Sequence, residues 1–211
     1  MSTISQHIAA IRATLPKGVQ LICVSKFHPA EAILEAYNAG ERDFGESRVQ
    51  ELCAKQPQLP ADIRWHFIGH LQTNKVRQIL PFVRLIHSVD SVHLLETINN
   101  EATKINRVVN VLLEVHTANE TTKSGFLPQE LQALDLSQYD HLNICGLMTM
   151  ATNTDDEDEI HRCFQLLKTL ADSDQHFTIR SMGMSDDYLL AIQDGSNMIR
   201  IGTDIFGARQ Y

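Results

Sequence analysis

Val108-Val109-Asn110-Val111-Leu112-Leu113-Glu114-Val115 is apolar at six of eight positions, with no alternation of polar and apolar residues. A strand with one wet face alternates. A short continuous run instead indicates a strand covered on both faces, as in a parallel sheet flanked by helices. The neighbouring segments fit that reading. Upstream, residues 83–88 form a strand run, followed by helical spacing from Ser91. Downstream, residues 142–148 form another strand, and 154–170 an amphipathic helix with Thr154 as its cap and Glu157 at the capping-box position.

The alternation continues to both ends. Residues 19–24 are a strand run between Lys17-Gly18 and Ser25-Lys26. Residues 29–39 have helical spacing, with Pro29 in the first turn and Gly40 past the end. Strands follow at 43–45 and 65–68, then a helix over 72–80 stopped by Pro81. The last strands are 177–182 and 198–201, with a helix over 186–193 between them. Eight strands alternating with helices predict an α/β fold with a parallel sheet, closed as a single (β/α)8 TIM-type barrel. Residues 3–15 form an extra N-terminal helix before the barrel. The alternative is an open doubly wound sheet, but no G-x-G-x-x-G follows the first strand.

Composition is compatible with one domain spanning 1–211. The chain is 43% hydrophobic and 21% charged, near globular averages. A formal net charge of −8 and the lack of a Lys/Arg-rich run argue against nucleic acid as a partner. No run approaches the roughly 18 apolar residues of a membrane span, and the first dozen residues lack a signal-peptide pattern, so a cytoplasmic location is expected. Cys23, Cys53, Cys145 and Cys163 form no C-x-x-C pair and match no zinc spacing. The acidic run 155–159 reads as a solvated helix start.

A barrel gathers its functional groups at the C-terminal ends of its strands. Lys26 ends the first strand. A desolvated strand-end lysine favours the neutral amine that Schiff-base chemistry requires, although a lone strand-end lysine more often snorkels to the surface. Ser181-Met182-Gly183-Met184-Ser185 and Arg200-Ile201-Gly202-Thr203 follow the seventh and eighth strands, the usual barrel phosphate site. Their glycines permit close approach of backbone N–H groups, and their hydroxyls add donors. Ordinary helix-capping turns would look the same without Lys26, and Asp186 and Asp187 would repel a phosphate placed too near. His66 and His70 are spaced H-x-x-x-H, but on a strand and its turn, so no metal site is expected. No G-x-S-x-G elbow surrounds Ser181 or Ser185. Lys123 lies in a loop near the barrel mouth.

These segments resemble those of the pyridoxal phosphate homeostasis proteins, a family similar to the barrel domain of alanine racemase. The resemblance runs through Val24-Ser25-Lys26, Asp43-Phe44-Gly45-Glu46, Trp65-His66-Phe67-Ile68-Gly69, His87-Ser88-Val89-Asp90, Lys123-Ser124-Gly125 and Gly146-Leu147-Met148. It continues through Ser181 to Asp187 and Arg200 to Arg209. It implies a fold-type III barrel for pyridoxal 5′-phosphate (PLP), with Lys26 as the Schiff-base lysine. Ser181, Gly202 and Thr203 would hold the phosphate, and Arg200 would lie near the pyridine nitrogen. It implies a carrier or buffer of PLP in vitamin B6 homeostasis, monomeric, with apo-forms of PLP-dependent enzymes as partners. Ser47 stands where the family usually has Asn, and His70 where Pro or Asn is usual.

The alternative is a weak PLP-dependent amino-acid racemase or lyase. Three features favour binding without turnover and no catalytic residue. An arginine does not give its proton to a pyridine nitrogen, although Asp204 is a competitor for that place. The resembling racemases carry a C-terminal β-domain that supplies a tyrosine, and this chain is expected to lack it. Tyr37, Tyr139 and Tyr188 do not fall at strand ends.

Overall fold

The computed structural model describes residues 2–120 and 124–208. Its centre is a closed barrel of eight parallel strands in sequential order: β1 (Gln20–Val24), β2 (Asp43–Glu46), β3 (Arg64–Phe67), β4 (Val83–Val89), β5 (Val109–Glu114), β6 (Leu142–Met148), β7 (Ile179–Ser181) and β8 (Met198–Ile201). Closure is made by β1 against β8, with Leu21 opposite Ile199 and Cys23 opposite Ile201. The expected (β/α)8 architecture is therefore present, including the added helix α1 (Thr3–Thr14), capped by Ser2.

The helices between strands are α2 (Ala30–Asn38), α3 (Val49–Lys55), α4 (Val76–Ile79), α5 (Val92–Lys104), α6 (Pro128–Gln132), α7 (Glu157–Asp172) and α8 (Tyr188–Gln193), with α9 (Thr203–Phe206) after β8. The period-2 geometry of strands divides each one between two cores. Leu21 and Cys23 of β1, Trp65 and Phe67 of β3, and Ile199 and Ile201 of β8 face the helices in the larger apolar cluster. Ile22, Leu85, Leu112, Met148 and Met198 fill the barrel interior. The same parity places His66, His87, Ser181 and Arg200 inside, all at most 4% exposed.

Local readings differ in four places. Asp156, not Thr154, caps α7: its side chain accepts from the N–H groups of Asp158 and Glu159, while Thr154 Oγ1 accepts from Asp156 N. Residues 72–80 split into a 3-10 turn, Thr73–Lys75, and the short α4. Helix α8 begins at Tyr188 because Asp187 takes the N–H of Met184 at 2.6 Å and closes the turn before it. Helix α3 was not anticipated: with only Val49, Leu52 and Lys55 buried, it shows too short an apolar stripe.

Candidate functional site

The C-terminal ends of β1, β7 and β8 surround a cavity of ≈ 200 Å³. Lys26, Arg200, Gly202 and Thr203 all line it, joined by Ser185 and Asp186. Val24, Ile68 and Met150 supply apolar wall, and His28 stacks on Phe206 at 5.1 Å beside it. The volume is below the roughly 300–1,000 Å³ of drug-sized sites and suits a compact ligand.

Lys26 is half-buried and follows a tightly held strand end. Ser25 N donates to the Gly45 carbonyl at 3.0 Å, and Ser25 Oγ donates to Glu46 Oε1 at 2.7 Å. After Lys26, Phe27 adopts φ +67°, a left-handed conformation that a non-glycine residue rarely takes. The Phe27 N–H is fixed on Glu51 Oε1 at 2.6 Å, and the Arg48 guanidinium lies 4.6 Å from the Phe27 ring centre. Lys26 is thus bracketed by anchored neighbours.

The phosphate-type turns are held as firmly. Gly183 has φ +97°, and a Cβ there would come within 2.7 Å of Ala191 Cβ, so the turn after β7 requires glycine. The Gly183 carbonyl accepts from Arg200 N at 3.0 Å, tying this turn to β8. Gly202 packs close to β1, where a Cβ would lie 3.3 Å from the Val24 carbonyl oxygen. In α9 the N–H groups of Ile205 and Phe206 donate to the Gly202 carbonyl at 3.0 and 2.9 Å, which leaves those of Thr203 and Asp204 without an intrahelical acceptor beside the Thr203 hydroxyl.

Ser181 occupies a different position from the other expected site residues. It is fully buried at an inward position of β7 and does not line the cavity. Its Oγ accepts from Arg200 Nη1 at 2.7 Å and lies 3.0 Å from His87 Nδ1. Ser185, four residues on, lines the cavity instead. Arg200 Nη2 also donates to the Thr149 carbonyl at 2.9 Å. Burial lowers the Arg200 pKa to about 10, against the attraction of Asp187 and Glu114, so the guanidinium stays charged near neutral pH. Burial pushes the carboxyls of Asp187 and Glu114 up.

The remaining candidates separate. His66 lies inside the barrel, whereas His70 is exposed beside Asp90 at 3.1 Å; the two do not converge. Among the described residues no group of three His, Cys, Asp or Glu side chains is arranged to hold a metal. Ser47 does not line the cavity; its backbone packs on Gly69, where a Cβ would fall 2.2 Å from the Ser47 carbonyl oxygen. Lys123 lies outside the described residues. No described helix is long and apolar enough to cross a membrane. Ser185 and His28 line the cavity without having been among the expected cofactor-binding residues. The available signal for Ser185 was its place beyond the strand, in the turn after Gly183.

The sequence matches the family described as "Alanine racemase, N-terminal domain" over residues 1–210. It is 37% identical to the pyridoxal phosphate homeostasis protein of Schizosaccharomyces pombe, covering 99% of this chain and 94% of that one. The chain belongs to the pyridoxal phosphate homeostasis protein family. It superposes on PipY, the COG0325 family member of Synechococcus elongatus, without PLP, at TM-score 0.93 and 42% identity, covering 97% of this chain and 100% of that one. The same protein with PLP bound gives TM-score 0.87 and 40% identity over the same shares of the two chains.

Proposed function

We propose that this protein binds PLP at the C-terminal mouth of its barrel and carries or buffers it, as one domain spanning 1–211, monomeric and cytoplasmic. The observation that carries this reading is the convergence of one lysine, Lys26, with Ser185, Thr203 and Arg200 around one small cavity. PLP supplies an aldehyde, a phosphate and an electron-withdrawing ring, and the donor set suits all three. Lys26 is the amine that anchors the aldehyde carbon. Thr203, Gly202 and Ser185 form the phosphate cradle. Ser181 acts beneath it by holding Arg200, which serves the ring nitrogen. Apo-forms of PLP-dependent enzymes are the partners that such a carrier would supply.

The carrier reading is favoured over a weak racemase or lyase by two features. Arg200 remains a donor at neutral pH and leaves the ring nitrogen without a proton. Among the described residues no tyrosine lines the cavity: Tyr37 Oη donates to Asp62, and Tyr188 Oη lies 3.4 Å from Thr14 Oγ1. The family's likeness to alanine racemase keeps the enzymatic alternative specific enough to test.

The deciding experiment is an absorption spectrum of PLP-loaded protein before and after borohydride treatment, with peptide mapping of the modified lysine. A visible band that borohydride abolishes, with label on Lys26, supports the reading; label elsewhere overturns it. Exchange of the α-proton of L-alanine in D2O at the rate given by free PLP supports the carrier. Exchange about a hundredfold or more faster, the scale of one working general base, supports the enzyme.

A further inference from the structure

Inside the barrel a single file of polar side chains crosses the apolar core. From Arg200 at the C-terminal mouth it passes to Ser181 Oγ (2.7 Å), His87 Nδ1 (3.0 Å from that oxygen), His66 Nδ1 (2.9 Å from His87 Nε2) and Asp43 Oδ1 (3.0 Å from His66 Nε2). The far end opens on a second cavity of ≈ 500 Å³ at the N-terminal mouth, lined in part by Asp43, Arg64 and His66. Ser181 and His87 are 0% exposed, and His66 is 1% exposed.

We propose that Ser181, His87, His66 and Asp43 are a proton-ordered wire whose task is to position the Arg200 guanidinium at the cofactor mouth. The order follows from its two ends. Arginine has only donors, and an ionised carboxylate has only acceptors. Asp43 therefore accepts from His66 Nε2–H. The neutral His66 then offers Nδ1 as an acceptor to His87 Nε2–H. His87 in turn offers Nδ1 to the Ser181 hydroxyl, whose oxygen accepts from Arg200. Four hydrogen bonds use one proton on each of three intermediate groups, and none is left unsatisfied. A further proton on His66 would set its Nδ1–H against the Nε2–H of His87, and one on His87 would take the Nδ1 lone pair that accepts the Ser181 hydroxyl proton.

The electrostatics agree with this assignment. Hydrogen bonds from His66 and Arg64 hold the Asp43 carboxyl far below its ordinary value despite burial. Burial pushes both imidazoles down, towards the neutral form. Arg64 closes the far end with two bonds to Asp43, at 2.8 and 2.5 Å. The charged groups acting on the file are Arg64 and Arg84 at one end and Asp187, Glu114 and Arg200 at the other. A buried polar file of this kind is costly unless every member is satisfied, and a fully satisfied one fixes a unique arrangement. Apolar side chains would fill the interior more simply, so its retention needs a use. Holding a buried guanidinium in one orientation is that use.

The role of Arg200 towards PLP rests on the function proposed above, but the wire itself does not, and it is read first in ligand-free protein. Long-range 1H–15N NMR at about pH 7 is expected to show His66 and His87 as neutral Nε2–H tautomers. A Nδ1–H tautomer or an imidazolium at either position overturns the proposal. In Asp43→Asn the amide can present its NH2 to His66, and the Nδ1–H form that then appears at His66 must appear at His87 too, two links away; a Nδ1–H form at one imidazole without the other overturns the directed order. The Arg200 Nη resonances, identified by their loss in Arg200→Lys, are expected to be resolved in the wild type and to coalesce in Ser181→Ala. Slow rotation persisting in that variant removes the positioning role. In PLP-loaded protein, both Asp43→Asn and Ser181→Ala are expected to shift the visible band. An intact wire with an unmoved band in loaded protein refutes positioning, whereas absence of any band with the ligand-free signals as expected refutes only the PLP reading. If Asp43→Asn does not fold, the wild-type tautomers and Ser181→Ala still decide.

Discussion

Lys55 Nζ donates to the Ser25 carbonyl at 2.9 Å, so a buried lysine on α3 holds the residue next to Lys26. The same ammonium pairs with Glu46 at 2.7 Å and Glu51 at 2.6 Å. Glu46 is fully buried, its second carboxylate oxygen has no hydrogen-bond partner among the described residues, and burial already raises its pKa. Removing Lys55 would strand that charge. Lys55→Met is therefore expected to lose about 3–5 kcal/mol, the usual effect of breaking a buried pair from one side. Urea unfolding measures this. Adding Glu46→Gln should recover part of the loss, and a double variant less stable than Lys55→Met would show that the charge is not the cause.

Lys26→Ala is expected to fold like the wild type, because the side chain is half-buried and the turn is held by Ser25, Phe27 and Lys55. Its PLP-loaded form should lack the visible band. A variant that keeps the band places the anchoring amine elsewhere, with Lys123 as the first lysine to test.

The architecture was legible because strand and helix periods differ and because one apolar run, 108–115, already required two covered faces. Lys26, Arg200, Gly202 and Thr203 could be placed at one mouth by the barrel rule alone. What remained hidden was parity. Ser181 and Ser185 lie in one quoted segment, yet Ser181 is the last residue of β7 and points into the barrel, while Ser185 lies past Gly183 in the loop. Where β7 ends decides between them, and the 177–182 run did not mark that end. The interior wire was hidden for a related reason. His66, His87 and Asp43 are far apart in sequence, and only the strand registers bring them into one file.

That parity predicts a division among three hydroxyls. Thr203→Ala and Ser185→Ala should weaken PLP binding much more than binding of pyridoxal, which lacks the phosphate. Each lost bond to a charged oxygen is worth about 1.5–3 kcal/mol, or roughly tenfold to a hundredfold in affinity. Ser181→Ala should weaken both ligands by similar factors, because it acts through Arg200. Titration of each variant with both ligands measures the division. A phosphate-selective loss in Ser181→Ala would return that hydroxyl to the phosphate.

Acid should weaken the fold through the two interior imidazoles. Burial lowers the pKa of His66 and His87 in the folded protein. Near and below the ordinary histidine value of about 6.5, the unfolded chain therefore binds protons that the folded chain refuses, and stability falls as pH falls. Glu46 and Glu114, raised by burial, work in the opposite direction, because the folded state takes up protons there that the unfolded state releases. Asp43, held low, contributes only below about pH 4, where the unfolded carboxylate protonates. A variant comparison isolates the imidazole term. Between about pH 7 and 5.5, one histidine kept neutral by folding contributes a loss approaching roughly 1.3 kcal/mol. His87→Gln should be less stable than the wild type at neutral pH, yet lose about that much less on acidification, as measured by urea midpoints at the two pH values. Equal losses for the two proteins would mean that His87 is protonated within the barrel, and the one-directional order from Arg200 to Asp43 would fail with it.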